Sequence, residues 1–139
     1  MQVLKTRVEG LLLIEPDVYR DERGYFFEHY SRAKYEALGL IGEFVQDNCS
    51  LSQRGTIRGL HYQIDPGAQG KLTSVVHGRV LDVAVDVRFG SPTFGQYVAV
   101  ELSEENHVQF WIPPGFAHGF SVLSETVVFM YKCTSYYSK

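Results

Sequence analysis

From Val75 to Arg88 the chain reads VVHGRVLDVAVDVR, and after Gly78 it alternates with a period of two. Leu81, Val83, Val85 and Val87 fall on one face; Val80, Asp82, Ala84, Asp86 and Arg88 fall on the other. Such alternation predicts a strand whose two faces meet different surroundings. The first face is wholly apolar. The second mixes two carboxylates with small apolar residues, which fits the wall of a polar pocket, although a solvated face carries the same pattern. Shorter runs predict strands at 44–52, 56–63, 96–102, 107–112, 117–123 and 126–133. Turn-forming clusters separate them: Gln53-Arg54-Gly55, Asp65-Pro66-Gly67, Phe89-Gly90-Ser91-Pro92 and Pro113-Pro114-Gly115. About seven or eight short strands with regular turn spacing predict an antiparallel sandwich or barrel; a jelly roll meets that count and encloses a cavity. One segment breaks the pattern. Ser31 stands at a helix N-cap position before Arg32 to Leu38, and Gly39 stands where a glycine would end the helix. Two turns are too few to hold alone, so packing must support them.

The length of 139 residues suits a single domain, 1–139. A hydrophobic content of 45% with 21% charged residues excludes a disordered chain. The 14% aromatic content favours strands and aromatic-lined pockets. A net charge of −3 argues against a nucleic-acid partner but leaves room for a small anionic ligand in a locally basic pocket. No apolar run is long enough for a membrane span, and no signal-peptide core opens the chain, so a cytoplasmic protein without a membrane partner is expected. Cys49 and Cys133 form no metal-ligand spacing and no disulfide framework; both are expected to be reduced core residues.

Two clusters carry candidate chemistry. The first is Arg58-Gly59-Leu60-His61-Tyr62-Gln63 followed by Gln69-Gly70-Lys71; the second is Ile112-Pro113-Pro114-Gly115-Phe116-Ala117-His118-Gly119. Together they resemble the two motifs of a cupin barrel, which set ligand-binding side chains on a cavity wall. Metal-binding cupins offer His-x-His and a nearby Glu in the first motif and one more His in the second. Here the first motif has Gln63 where the second His would stand, and no Glu follows before Glu101. His61 and His118 alone make a poor closed site for a divalent ion, so metal-free acid–base chemistry without a cofactor is expected.

The resemblance then becomes specific. Asp21-Glu22-Arg23-Gly24-Tyr25-Phe26-Phe27-Glu28, Gln46-Asp47-Asn48-Cys49-Ser50, Arg58 to Gln63, Lys71, Leu81 to Asp86, Pro113 to His118 and Tyr131-Lys132-Cys133-Thr134 occur in order along the whole chain. In that order and spacing they resemble the dTDP-4-dehydrorhamnose 3,5-epimerases. The resemblance implies a cytoplasmic, homodimeric isomerase of the cupin type, acting on a dTDP-linked 4-keto-6-deoxyhexose by inverting C3 and C5. It implies His61 as base, Tyr131 as acid and Lys71 as enolate stabiliser. It also implies substrate binding by Arg23, Glu28, Gln46, Asn48, Arg58, His118 and Tyr137. The two arginines suit a pyrophosphate, and Tyr137 suits stacking on thymine. The family's N-terminal region reaches across the dimer, so Arg23, Phe26 and Glu28 are expected to serve the partner's site.

Taken alone, the same residues read more plainly. A lone His61 fits a satisfied core histidine, Lys71 a turn lysine, and Tyr131 a core residue sharing its face with Phe129 and Cys133. Strict alternation puts Arg58 and His61 on opposite faces; either a bulge at Gly59 realigns them or Arg58 works from an edge. Family members also continue beyond the position of Lys139 with residues that cover the site and carry the acidic partner of the histidine. Within this sequence Asp82 and Asp86 are the carboxylates expected in that role, Asp82 foremost. Other readings are a single-centre epimerase or ketoisomerase, a non-catalytic sugar-nucleotide-binding cupin, and a metal-dependent cupin oxygenase, the last disfavoured by Gln63.

Overall fold

The computed structural model describes residues 1–40 and 42–138. With strands numbered in chain order, one antiparallel sheet runs β1 (Gln2–Lys5), β2 (Leu12–Glu15), β10 (Gln109–Ile112), β7 (Lys71–His77), β12 (Thr126–Cys133) and β5 (Gln46–Gln53). The second runs β6 (Ile57–His61), β11 (Phe116–Val122), β8 (Arg79–Asp86) and β9 (Tyr97–Ser103). A separate hairpin pairs β3 (Val18–Asp21) with β4 (Gly24–Phe27). This is the all-β, cupin-type jelly roll expected, with one short helix, α1 (Arg32–Ala37), among the described residues. The strands β1 to β4 carry too little alternation to announce themselves, and the predicted strands begin only at 44.

The alternation in β8 holds. Val80, Asp82, Ala84 and Asp86 are buried between the sheets, while Leu81, Val83 and Val85 look outward and are partly exposed. Facing them across the core, Phe129 of β12 stacks on Phe120 of β11 with ring centres 4.2 Å apart. Apolar side chains from both sheets complete this layer, including Val75, Val80, Leu102, Phe110 and Ile112. Burial of this kind is the main drive for closing the two sheets on each other. The outer face of the larger sheet has its own cover: Tyr35 of α1 packs with Ile14, Leu40, Leu72 and Trp111. Its hydroxyl donates to Gln109 Oε1 at 2.6 Å. Ser31 occupies the N-cap position, but its side chain makes no capping bond; Gly39, at φ +85, ends the helix as expected.

Two expectations are corrected here. Cys133 is buried, but Cys49 is exposed, because on β5 it points opposite to its neighbours Asn48 and Ser50. Asp86 does not face a pocket. Its fully buried carboxylate accepts from Arg88 Nη2 at 2.8 Å and from Ser91 and Thr93 hydroxyls at 2.6 Å each. It thereby pins the turn after β8, and Arg88 beside it holds its carboxyl well below the usual range. No helix among the described residues is long and apolar enough to cross a membrane.

The bulge at Gly59 is present. On β11, His118 pairs with His61 and Phe120 with Arg58, so three steps along β6 match two along β11. The extra residue turns both Arg58 and His61 to the inner face. Gly59 has φ +130, and a Cβ there would lie 2.6 Å from Gly119 Cα and 2.8 Å from the His118 carbonyl oxygen. Gly59→Ala is therefore expected to lower the free energy of unfolding by roughly 1–3 kcal/mol, the range for a strained backbone position. Urea denaturation checks this; unchanged stability would mean the two strands can separate there without loss.

Candidate active site

Side chains from both sheets line a cleft of two lobes. One lobe, about 530 Å³, is bounded by Gln46, Asn48, His61, Gln63, Gln69, Lys71, Tyr131 and Tyr137, among others. The other, about 390 Å³, is bounded by Ser50, Arg58, His61, Lys71, His118, Phe120 and Tyr131, among others. His61, Lys71 and Tyr131 belong to both lobes and so form the waist. Register explains the company. Lys71 pairs with Cys133 and Tyr131 with Thr73, so Lys71 and Tyr131 are diagonal neighbours on one face of adjacent strands. Lys71 Nζ lies 5.8 Å from the centre of the Tyr131 ring. On the far side of β12, Asn48 faces Tyr131 and Gln46 faces Cys133. His61 comes to the waist from the other sheet.

Burial tunes the two groups of the larger sheet in opposite senses. Removal from water disfavours the ammonium of Lys71 and lowers its pKa, against smaller opposing effects of Cys133 and Asp82. The same cause, aided by Cys133 and opposed by Arg58, raises the phenol of Tyr131 and keeps it protonated. Arg58 is steadied by a bond from its Nε to Ser52 Oγ at 2.9 Å. Beneath the second lobe, Asp82 Oδ1 accepts from His118 Nε2 at 2.6 Å and Oδ2 accepts from Thr73 Oγ1 at 2.7 Å. Asp82 and Thr73 are fully buried. This bond assigns a proton to His118 Nε2. Among the described residues no three His, Cys, Asp or Glu side chains gather as a cation site.

Over residues 5–139 the chain matches the family model described as dTDP-4-dehydrorhamnose 3,5-epimerase. The chain belongs to that family. A dTDP-4-dehydrorhamnose 3,5-epimerase of Shigella flexneri is 55% identical over 140 residues, covering 100% of this chain and 77% of the relative. The structure of a Legionella pneumophila 3,5-epimerase in complex with dTDP-4-keto-L-rhamnose superposes with a TM-score of 0.96 at 57% identity, covering 99% of this chain and 73% of that one. A 3'-monoepimerase of Streptomyces bikiniensis, in complex with dTDP-quinovose, is more distant, with a TM-score of 0.89 at 34% identity, covering 96% of this chain and 68% of that one.

Of the site residues expected from the sequence, His61, Lys71, Tyr131, Gln46, Asn48, Arg58, His118 and Tyr137 meet at this cleft. Three do not. Asp82 lies behind the wall with both oxygens committed to His118 and Thr73, so it orients His118 and not His61, which corrects its expected role. Arg23 sits on the β3–β4 hairpin, 85% exposed and paired with Asp21. Glu28 pairs with Lys34 at 2.8 Å, also away from the cleft. Conversely, Ser52 escaped notice in the sequence, since it carries no chemistry of its own and only the fold brings it to Arg58, while Gln69, noted beside Lys71 without a role, proves to line the larger lobe. The lowered pKa of Lys71 predicts that turnover falls on the alkaline side from below pH 10.5. A pH–kcat profile checks this, with Lys71→Arg moving the limb upward. An unmoved limb would assign it to another group.

Proposed function

We propose that this epimerase acts on a dTDP-linked 4-keto-6-deoxyhexose, converting dTDP-4-dehydro-6-deoxyglucose to dTDP-4-dehydro-L-rhamnose by inversion at C3 and C5. The observation that carries this reading is the waist of the cleft, where His61 enters from one sheet and Lys71 and Tyr131 from the other. A ketone at C4 acidifies the hydrogens on C3 and C5. Inversion requires a base on one side of the ring, an acid on the other and a positive donor at the developing enolate oxygen. His61 removes the proton, Lys71 holds the enolate, and Tyr131 returns a proton from the opposite side. The electrons return to the carbon they left, so the reaction asks for no redox cofactor. Arg58 and His118 in the second lobe suit the diphosphate, and Gln46, Asn48 and Tyr137 suit the nucleoside.

The partner is a second copy of the chain. On the outer face of the larger sheet Leu51 is 67% and Val76 47% exposed, and the apolar outer face of β8 is also only partly covered. The hairpin side chain of Phe26 is 69% exposed. In a homodimer the hairpin with Arg23, and Glu28 beyond it, would complete the partner's cleft. The free thiols suit a reducing compartment, in keeping with the cytoplasm.

Base and acid fail differently. His61→Ala is expected to lower turnover by about 10²–10⁴-fold and to abolish exchange of the sugar hydrogens with deuterated water. Tyr131→Phe should keep exchange at C3 or C5, because protonated His61 returns a deuteron to the face it took the proton from, yet lose most inversion. NMR of the recovered sugar distinguishes them, and full inversion in Tyr131→Phe would give the acid role to another group. For the dimer, inactive Arg23→Ala and His61→Ala proteins, unfolded and refolded together, should recover activity through mixed dimers that hold one intact cleft. No recovery would place Arg23 in the cleft of its own chain.

A further inference from the structure

Gln63 stands where a metal-binding cupin would carry a ligand, but its side chain is turned to a different task. Its Nε2 donates to the carbonyl of Gly67 at 2.6 Å and to that of Tyr136 at 3.3 Å, and its Oε1 accepts from the backbone N–H of Ser138 at 3.0 Å. Both donor hydrogens of the amide are thereby spent on backbone, leaving a single lone pair free. Residues 134–138 are tied to the 63–70 loop by further bonds. Gln69 Nε2 donates to the Ser135 carbonyl at 2.8 Å, Ser135 Oγ to the Gly67 carbonyl at 2.9 Å, and Gly70 N–H to Thr134 Oγ1 at 2.8 Å. The N–H of Tyr137 donates to Gln46 Oε1 at 3.1 Å, and Gln46 Nε2 in turn donates to Asn48 Oδ1 at 3.0 Å.

The topology gives these bonds their meaning. Gln63 follows His61 by two residues at the end of β6, in one sheet. Residues 134–138 follow Tyr131 at the end of β12, in the other. Of these bonds, those of Gln63 tie the exit of the base-bearing strand to the exit of the acid-bearing strand, across the mouth of the larger lobe. They also fix the backbone on both sides of Tyr137, through Tyr136 and Ser138, while the Tyr137 side chain stays 67% exposed on the lobe wall.

We infer that Gln63 is a positioning residue for nucleotide recognition: it clasps residues 136–138 so that Tyr137 is held in place over the cleft before the ligand arrives. This rests on the nucleotide-sugar reading above and adds to it the element that orders the nucleoside wall. Without the clasp the ligand must order that segment itself, and ordering flexible chain on binding weakens affinity. The loss falls on ground-state and transition-state binding alike, so it appears in KM more than in kcat.

The test is kinetics and calorimetry with dTDP as the probe. Gln63→Ala should raise both KM and the Kd for dTDP about tenfold, with kcat falling less than about threefold. Gln63→Met, which keeps the length and bulk of the side chain but not its hydrogen bonds, should do the same with an unchanged thermal melt, which separates the clasp from folding. In a Tyr137→Ala background, Gln63→Met should add little further loss, because the two residues act through one contact. Fully additive losses, or a fall in kcat with KM and Kd unchanged, would overturn the clasp while leaving the nucleotide-sugar reading intact. Wild-type protein that binds no dTDP would overturn both.

Discussion

Two glycines in contact govern what the cleft can contain. Gly59 and Gly119 sit where β6 and β11 pass, and neither has room for a Cβ: one built on Gly119 would lie 2.7 Å from the Arg58 carbonyl oxygen. The close approach makes the bulge possible, and the bulge turns Arg58 and His61 to the same face. A regular strand would have sent one of them to solvent, because a shift of a single residue reverses every side chain that follows. With both turned inward, a guanidinium and an imidazole from the smaller sheet meet Lys71 and Tyr131 from the larger one. The chemistry of the site is thus a consequence of register, and register here rests on the absence of two side chains.

The buried Thr73–Asp82–His118 chain is the second constraint. It runs from β7 in one sheet to β8 and β11 in the other, so it fixes the spacing of the two walls as well as the orientation of His118. Removing one partner of such a buried hydrogen bond typically costs about 1–3 kcal/mol, and more where a charged group is left, because the remaining polar group has no water to turn to. Nearer the surface the clasp of Gln63 does comparable work with neutral groups. Burial is graded across the cleft: greatest beneath the second lobe, where Asp82 is fully buried, and least at the mouth, where Tyr136 and Tyr137 are largely exposed.

What the sequence made legible follows from what is local. Alternation in β8 predicted its buried and outward faces, because a period of two is a property of the strand itself. The conflict between Arg58 and His61 left two resolutions, a bulge at Gly59 or an Arg58 working from an edge, and the fold takes the bulge. The collinear motifs identified the cleft residues that the fold then gathered. Two of the failures are non-local. Asp82 was assigned to the wrong histidine because nothing along the chain says that His118 lies across from Ala84, two residues from Asp82, on the neighbouring strand. Gln63 was noticed only for the ligand it is not, since two of its three partners, Tyr136 and Ser138, lie 73 and 75 residues away along the chain. Cys49 was a local failure: on a strand whose inward set is Gln46, Asn48 and Ser50, the cysteine between them must face out.

The central claim is that one waist, formed by His61, Lys71 and Tyr131, serves proton removal and return at both carbons beside the ketone. The most direct measurement incubates the wild-type protein with dTDP-4-keto-6-deoxyglucose in deuterated water and follows the sugar by NMR. The account predicts deuterium at C3 and at C5, each with inverted configuration. Deuterium confined to one carbon, or inversion at either carbon with the original hydrogen retained, would contradict it.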